Sequence, residues 1–166
     1  MRILGVDPGT HRLGFGILDV DGPAVSYVAS GCLEAGRRDP LEIRLHLLYR
    51  GLTDVFAEWR PDHLAVEEPF VAPERGAKSG VAVGQAQALA LLAATDVGIP
   101  VHRYAPSSVK AAVTGNGAGT KDQVQRALRL LLNIGQEPMS EDASDAIAVA
   151  LCHLQHWRTS QRSAVS

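Results

Sequence analysis

The sequence predicts an α/β fold in which one five-stranded mixed sheet carries helices on both faces. Three strand-like segments open the chain, two short apolar strands follow with a helical segment before each, and the remainder is helical. The order βββαβαβ followed by helices is typical of a single mixed sheet between layers of helices. Because the first, fourth and fifth strands are short, apolar and separated by crossover helices, we expect them to form the parallel, buried centre.

The chain begins with a predicted meander of three strands. Residues 2–7 are mainly apolar and end in a carboxylate, residues 13–20 alternate in polarity, and residues 24–33 follow an Asp-Gly-Pro turn. The segment from Pro40 to Trp59 carries apolar side chains three and four positions apart, which predicts an amphipathic helix. We expect this helix to end at the Arg-Pro pair that follows.

The rest of the chain alternates predicted strands with helices and then becomes helical. The predicted elements are a strand at 63–67, a helix rich in small residues at 81–97, a strand at 99–104, and helices that begin at Pro106, Thr120 and Ser140. The last helix is expected to end near Trp157. We predict a single domain over 1–157 and a polar, flexible tail over 158–166, since a chain of 166 residues can bury a core of its own.

Composition favours a cytoplasmic globular protein. The chain is 46% hydrophobic and 20% charged, and we expect no apolar run to approach the ~20 residues of a membrane span. No signal peptide is recognisable. We therefore expect no membrane partner. Cys32 and Cys152 form no C-x-x-C pair and are expected to be reduced. Cys152 and His156 have the spacing of two helical metal ligands, but without a second pair ordinary packing is favoured over zinc.

Charge is distributed unevenly along the chain, although the net charge is only −2. Residues 1–69 carry seven basic and eleven acidic side chains, whereas residues 70–130 carry seven basic and three acidic ones. A segregated basic stretch of this kind can bind a polyanion such as nucleic acid. Chance clustering on a solvated surface is the alternative, and charge alone does not decide between them.

Carboxylates stand at the ends of two predicted strands and on one face of the last helix. Asp7 ends the first strand and Glu67 ends the fourth. In open α/β sheets the crevice beyond such strand ends is where sites are built. Asp142 and Asp145 are three positions apart, so they share one helix face beside an apolar stripe. Taken singly, each acid also fits an ordinary role in a turn, a loop or the first turn of a helix.

The four acids together indicate a metal site. Carboxylates from distant segments would repel one another at the edge of a core unless a cation neutralised them. Oxygen ligands of this kind suit Mg²⁺ or Mn²⁺ rather than zinc. Two such ions ~3.5–4 Å apart could activate a water and stabilise the leaving oxygen of a phosphodiester. The pattern therefore predicts a metal-dependent phosphodiesterase.

Four segments carry a resemblance to a known family. IxGVDPGTxxxGFG, LAVEEPF, VKAAVTGNGAGTK and DASDAIAVALCH occur in this order over about 155 residues. Together they resemble the RuvC family of bacterial Holliday-junction resolvases, which are nucleases with an RNase H-like fold. The resemblance implies a homodimer that nicks two opposing strands of a four-way DNA junction, leaving 5′-phosphate and 3′-hydroxyl ends in recombination and repair. It also implies two Mg²⁺ ions per active site, replaceable by Mn²⁺, and the RuvA–RuvB branch-migration complex as a partner.

The resemblance assigns roles to individual residues. Asp7, Glu67, Asp142 and Asp145 match the four metal-binding acids of the family. Phe70 matches an aromatic that stacks on bases near the crossover, and its alternative is a loop residue tucked into the core. The basic residues that match DNA-binding positions of the family, or fall in its DNA-binding loop, are Lys110, Lys121, Arg75 and Lys78. The last two fall in VAPERGAKSG, which diverges from other members of the family.

Two predicted helices have expected roles in DNA binding and in dimerisation. Thr120 and Gln123 read as a capping box, which fixes Lys121 on the first turn of its helix, where free backbone N–H groups favour phosphate. The small-residue helix at 81–97 falls where the family dimerises, and plain core packing is its alternative.

Four alternative functions fit the sequence less well. An actin-like ATPase shares the opening strand and turn but needs two such domains. A non-catalytic junction binder would be expected to lose an acid, and none is lost. An RNase H-type enzyme that cuts RNA in hybrids places its Glu on a helix, whereas Glu67 is predicted to end a strand. A nuclease resembling the YqgF group fits the DASDAIA segment less well.

Overall fold

The computed structural model describes residues 1–68, 76–115, 119–135 and 139–164. Five strands form one sheet: β1 (Arg2–Asp7), β2 (Arg12–Asp21), β3 (Ala24–Glu34), β4 (His63–Glu67) and β5 (Val101–Tyr104). Their order across the sheet is β3-β2-β1-β4-β5. The mixed α/β architecture predicted from the sequence is therefore confirmed.

The sheet joins an antiparallel half to a parallel half at β1. β1 pairs antiparallel with β2 and parallel with β4, while β5 runs parallel to β4. The prediction of a buried parallel centre holds for β1 and β4, whose middle residues are buried. It is wrong for β5, which pairs only with β4 among the described strands and is half-exposed at the sheet edge.

Five helices cover the sheet: α1 (Leu41–Trp59), α2 (Gly76–Val97), α3 (Pro106–Thr114), α4 (Lys121–Leu132) and α5 (Glu141–Ala164). The predicted capping box at the start of α4 is present, since Gln123 N–H donates to the Thr120 hydroxyl over 3.3 Å and Thr120 N–H donates to Gln123 Oε1 over 2.9 Å. Pro106 occupies the first turn of α3, where its missing N–H costs nothing.

Two helices are longer than predicted. α2 begins at Gly76 rather than at 81, because glycines weaken a helical pattern by ~1 kcal/mol each without preventing the helix. α5 continues to Ala164 and does not end near Trp157, so residues 158–164 are helical. Arg158 donates to the carbonyls of Gly22 and Pro23, and the hydroxyls of Thr159 and Ser163 donate to carbonyls four residues back, which holds the extension in place.

The core has two parts, one on each face of the sheet. α1 and α2 pack on one face against Leu4, Leu64 and Val66, while α3, α4 and α5 pack on the other against Ile3 and Leu18. β-strand side chains alternate between faces, so Gly5, Asp7, Ala65 and Glu67 all point towards α5. Asp7 and Glu67 therefore lie on the face of the sheet that α5 covers.

One helix in the described part of the chain is long and apolar enough, by length and composition alone, to cross a membrane. It is the Gly80–Val97 stretch of α2, a third of which is buried. The expectation that no apolar run approaches this length is wrong for α2. A single helix of this kind is weak evidence for a span, and α2 packs Ala86, Ala90 and Ala94 into the fold.

Candidate active site

Two neighbouring strands deliver the first two acids of the site. β1 and β4 run parallel with Val6 opposite Val66, so Asp7 and Glu67 stand one position farther on, side by side at the carboxyl ends of their strands. Both acids face α5. The backbone carbonyl of Glu67 accepts a bond of 3.1 Å from the side chain of the buried Gln87, which ties the end of β4 to α2.

Glycines in β1 and β2 let α5 lie directly on the sheet. A Cβ at Gly5 would stand 2.1 Å from the carbonyl oxygen of Ala146, and one at Gly14 would stand 1.9 Å from that of Asp142. Gly14 is also the register partner of Asp7. The first turn of α5 therefore lies against the end of β1, and Asp142 and Asp145 reach the same place as the two strand-end acids.

Burial and mutual repulsion raise the pKa values of three of the acids. Burial raises the pKa of Asp7 to about 8, and repulsion by Glu67, Asp145 and Asp142 adds to the rise. The pKa of Glu67 is raised to about 7 by burial and then by Asp145. The pKa of Asp145 is also raised, chiefly by burial. Three of the four acids thus bind protons more tightly than usual, because burial and neighbouring carboxylates disfavour their charged forms.

Three cations border the acids without neutralising them all. Lys121 Nζ lies 2.7 Å from Glu141 and 3.9 Å from Asp145, and its charge also opposes the pKa rise of Asp7. Lys110, on α3, acts in the same sense on Glu67 and Asp145. Arg12 Nε lies 2.9 Å from Asp142 Oδ2. The structure therefore brings Lys110 and Lys121 to the four acids.

Arg12 is the residue at this site that the sequence analysis missed. Its guanidinium bridges Asp142 to Glu34 of β3, and its Nε also lies 3.5 Å from the Cys32 thiol. The hairpin after Asp7 sets the first residue of β2 near the end of β1, but no local pattern indicates the contact of Arg12 with Asp142. Arg12 also lies outside the basic stretch of residues 70–130, so the charge distribution gives no signal for it.

The donor set fits divalent cations that prefer oxygen. Asp7, Glu67, Asp142 and Asp145 supply carboxylate oxygens from three separate elements. Burial and the neighbouring carboxylates raise the pKa values of three of them, and a bound cation would oppose both effects. Lys110 and Lys121 stand at the rim, exposed to solvent, where a phosphate group can reach them.

The side chains of three predicted DNA-binding residues lie outside the part of the chain that the structure describes. Phe70 and Arg75 lie outside the described residues, and so does the side chain of Lys78, although its backbone belongs to α2. Cys152 is buried and His156 is exposed, so the Cys152–His156 spacing does not converge on one point of the core.

Comparison with known proteins gives consistent matches over nearly the whole chain. The family model described as crossover junction endodeoxyribonuclease RuvC matches residues 3–153. Proteins of that description from Dehalococcoides mccartyi and Chloroflexus aggregans are each 42% identical, the first over 94% of this chain and 93% of its own length, the second over the full length of both.

Solved structures agree with these sequence matches. Thermus thermophilus RuvC in complex with a Holliday junction substrate is 30% identical, covers 96% of each chain and superposes with a TM-score of 0.88. The fowlpox virus Holliday junction resolvase is 12% identical with a TM-score of 0.56 and shares the fold alone.

Proposed function

Because the chain belongs to the RuvC family of crossover junction endodeoxyribonucleases, we propose that it resolves four-way DNA junctions by paired nicks in two opposing strands. Each nick would leave a 5′-phosphate and a 3′-hydroxyl in recombination and repair. The observation that carries the proposal is the convergence of Asp7, Glu67, Asp142 and Asp145 from β1, β4 and α5, with pKa values raised in three of them.

We propose that these four acids hold two divalent cations, Mg²⁺ in the cell and Mn²⁺ as a substitute. The ions would supply Lewis acidity, an activated water and stabilisation of the leaving oxygen. The acids must lose their protons to bind cations, so cation binding restores the ionised state that burial opposes. The rigid seat of α5 on Gly5 and Gly14 holds the two helix carboxylates at fixed positions relative to the two strand carboxylates.

Positive side chains beside the acids would guide the DNA backbone to them. Lys121 stands on the first turn of α4, beside backbone N–H groups that attract phosphate. Lys110 stands on α3, and its charge acts on Glu67 and Asp145, so it would supply a second cation for the phosphate. We extend the proposal to Phe70 as a base-stacking residue and to Arg75 and Lys78 as phosphate contacts, on the family resemblance alone.

We propose that the active protein is a homodimer formed through α2 and the adjoining part of α1. Both helices expose large apolar side chains, which a monomer leaves in water: Ile43, Leu47, Val81, Leu92 and Val97. A dimer would present two active sites to the two strands of one junction. The RuvA–RuvB branch-migration complex as a partner and a cytoplasmic location belong to the same proposal. A single domain over residues 1–157 remains a prediction.

The decisive experiment is a strand-resolved cleavage assay on a synthetic four-way junction, with linear duplex and an RNA–DNA hybrid as controls, in Mg²⁺, in Mn²⁺ and in EDTA. We expect paired, symmetric nicks confined to the junction and dependent on the metal. Asp145→Asn should abolish cutting and leave junction binding intact, whereas Asp54→Asn, at an exposed acid of α1, should behave like the wild type.

Other outcomes point to other functions. Cutting of the hybrid in place of the junction would indicate an RNase H activity. Tight junction binding without cutting in either metal would indicate a binding module that has kept the acids. Cutting by Asp145→Asn at the wild-type rate would remove Asp145 from the site.

A further inference from the structure

Three histidines meet on the α5 side of the sheet, away from the acids. His63 begins β4, His102 lies on β5 and His153 lies on α5. One ring nitrogen of each lies within 4.8 Å of a ring nitrogen of both others. His153 is buried, with 2% of its surface exposed, whereas His63 and His102 are partly exposed, so the group opens to solvent on one side.

The hydrogen bonds of His153 are those of an oriented metal ligand. Its Nδ1 lies 2.8 Å from the Tyr104 hydroxyl, and its Nε2 lies 2.7 Å from His63 Nδ1. When Nδ1 carries the ring proton and donates it to Tyr104, the lone pair of Nε2 points at His63. Metal-binding histidines are commonly held in this way, by a hydrogen bond from the nitrogen that does not bind the ion.

His102 contributes a nitrogen with no partner. Its Nε2 is buried and makes no hydrogen bond to any residue in the described part of the chain. A buried polar atom left in this state costs about 1–3 kcal/mol unless something occupies its lone pair or takes its proton. A cation between the three rings would accept that lone pair.

The rings of His102 and His153 favour their neutral form, which is the form that binds metals. The pKa of His153 is lowered to about 3 by burial and by the neighbouring histidines His102, His63 and His156. The pKa of His102 is lowered as well, by burial and by His63. Protonation would put like charges next to each other in the core, whereas a single ion shared among three neutral imidazoles would not.

We propose that His63, His102 and His153 form a second metal site, separate from the acids, which binds one transition-metal ion of the Zn²⁺ class. Three imidazoles with water in the fourth position suit Zn²⁺, Co²⁺ or Ni²⁺ and do not suit Mg²⁺, which prefers oxygen. Tyr104 is a positioning residue that holds His153. The ion would link β4, which carries Glu67 at its other end, to α5, which carries Asp142 and Asp145 at its start.

Binding requires the rings to turn, and the ion would replace the 2.7 Å hydrogen bond between His63 Nδ1 and His153 Nε2. His102 and His153 stack with centroids 4.2 Å apart and planes 27° from parallel, and His63 stacks on His102 at 5.2 Å. An ion must lie in the plane of each ring that binds it, so closely stacked rings cannot share one ion without rotation of their side chains. His102 is the ring best placed to turn, since its Nε2 gives up no hydrogen bond.

The test is Co²⁺ titration of the purified, chelator-stripped full-length protein, with excess Mg²⁺ present to occupy the acids. We expect one Co²⁺ per chain with the visible absorption of a four-coordinate ion, no thiolate charge-transfer band, and displacement by Zn²⁺. His102→Gln and His63→Gln should each abolish this spectrum. Tyr104→Phe should keep it but weaken binding by ~10- to 100-fold. His46→Gln, at an exposed histidine of α1, should match the wild type.

Circular dichroism and Mg²⁺-dependent junction cleavage would establish that each variant is folded. The proposal is overturned by the lack of a four-coordinate spectrum in the wild type, or by binding that survives in both histidine variants. A thiolate band would also overturn it, because it would assign the ion to a cysteine.

Discussion

The crevice between the sheet and α5 holds two groups of ionisable side chains that differ in sign. At the carboxyl ends of β1 and β4, burial raises the pKa of Asp7 to about 8 and that of Glu67 to about 7. Between β4, β5 and α5, burial lowers the pKa of His153 to about 3. The same loss of solvation thus pushes acids and bases alike towards their neutral forms.

The two groups differ in what each can accept. The acids become neutral by taking protons, so a cation that displaced those protons would restore the charged site that we propose for phosphodiester cleavage. The histidines become neutral by losing protons, and they then present nitrogen lone pairs. One crevice therefore selects oxygen-seeking ions at one place and, by our inference, nitrogen-seeking ions at another.

The largest expected effect comes from removing a carboxylate. Asp7→Asn should lower junction cleavage in Mg²⁺ by at least about a thousandfold, about 4 kcal/mol of barrier, because the site loses an ionised oxygen ligand. Single-turnover cleavage and gel-shift binding would measure the two effects separately.

The histidine group supplies the matched control for that variant. His153→Gln should cut the junction at a rate close to that of the wild type, although its folded state should be less stable. A comparable loss of cleavage in both variants would contradict the division of roles between the two groups.

Displacement of α5 should give the next largest effect. Gly14→Ala places a methyl group 1.9 Å from the carbonyl oxygen of Asp142, so either α5 or β2 must shift. We expect a loss of ~1–3 kcal/mol in unfolding free energy and a large fall in cleavage, since Asp142 and Asp145 move together. Urea denaturation and the cleavage assay would measure both.

Gly135→Ala is the control for the glycine variant. An added methyl there meets no atom of the described residues within 4 Å, so the stability of this variant should stay within ~0.5 kcal/mol of the wild type. Wild-type cleavage by Gly14→Ala would show that α5 does not depend on this close contact.

The two groups should also give opposite slopes of stability against pH in the metal-free protein. Asp7 binds protons more tightly in the folded state, so its contribution to stability is lost as pH rises from 3.8 towards about 8. His153 binds them less tightly, so its contribution is lost as pH falls from 6.5 towards about 3. Above pH 6.5 only the acid slope remains, up to about 1.4 kcal/mol per pH unit for each proton.

Chemical denaturation between pH 5 and pH 8.5, with and without Mg²⁺, would measure these slopes. Mg²⁺ should remove most of the fall above pH 6.5, and Asp7→Asn should reduce it without any metal. A metal-free protein whose stability rises steadily across this range would mean that the acids are not short of positive charge.

The smallest effect is expected at Arg12. Its bond to Asp142 joins partly exposed groups, with 46% and 28% of their side-chain surfaces accessible, so solvent screens the pair and it contributes little to stability. Arg12→Gln should therefore raise Mn²⁺ affinity by up to about fivefold, because the arginine competes with the cation for Asp142. Isothermal titration with Mn²⁺ would measure this, and Arg50→Gln, at an exposed arginine of α1, is the control.

Much of the fold could be predicted because local pattern and tertiary structure agree. Alternating polarity and apolar spacing located all five strands, and the capping residues Thr120 and Gln123 located the start of α4. The strand-end positions of Asp7 and Glu67 followed from the same patterns. The ends of α2 and α5 could not be predicted, because glycines hid the start of one and long-range bonds from Arg158 hold the end of the other.

The parts of the site that the sequence did not reveal depend on contacts between distant segments. Arg12 meets Asp142 across 130 positions, and no local pattern records that meeting. His63, His102 and His153 come together only when β5 takes the edge of the sheet and α5 crosses behind it. A single histidine in a strand does not indicate a metal site, because its place in the strand pattern is one that an ordinary core residue can also occupy.

Because α5 packs closely on the glycines of β1 and β2, the nascent chain lacks one side of the site until α5 has been synthesised. Asp7 leaves the ribosome near the start of synthesis, whereas the helix that completes its site is made last among the described elements. At ~5–20 residues per second, on the order of ten seconds separate the two. During that interval the groove that α5 later fills stays open, so the proposed DNA-cutting centre, which needs the two aspartates of α5, cannot form before the chain is nearly finished.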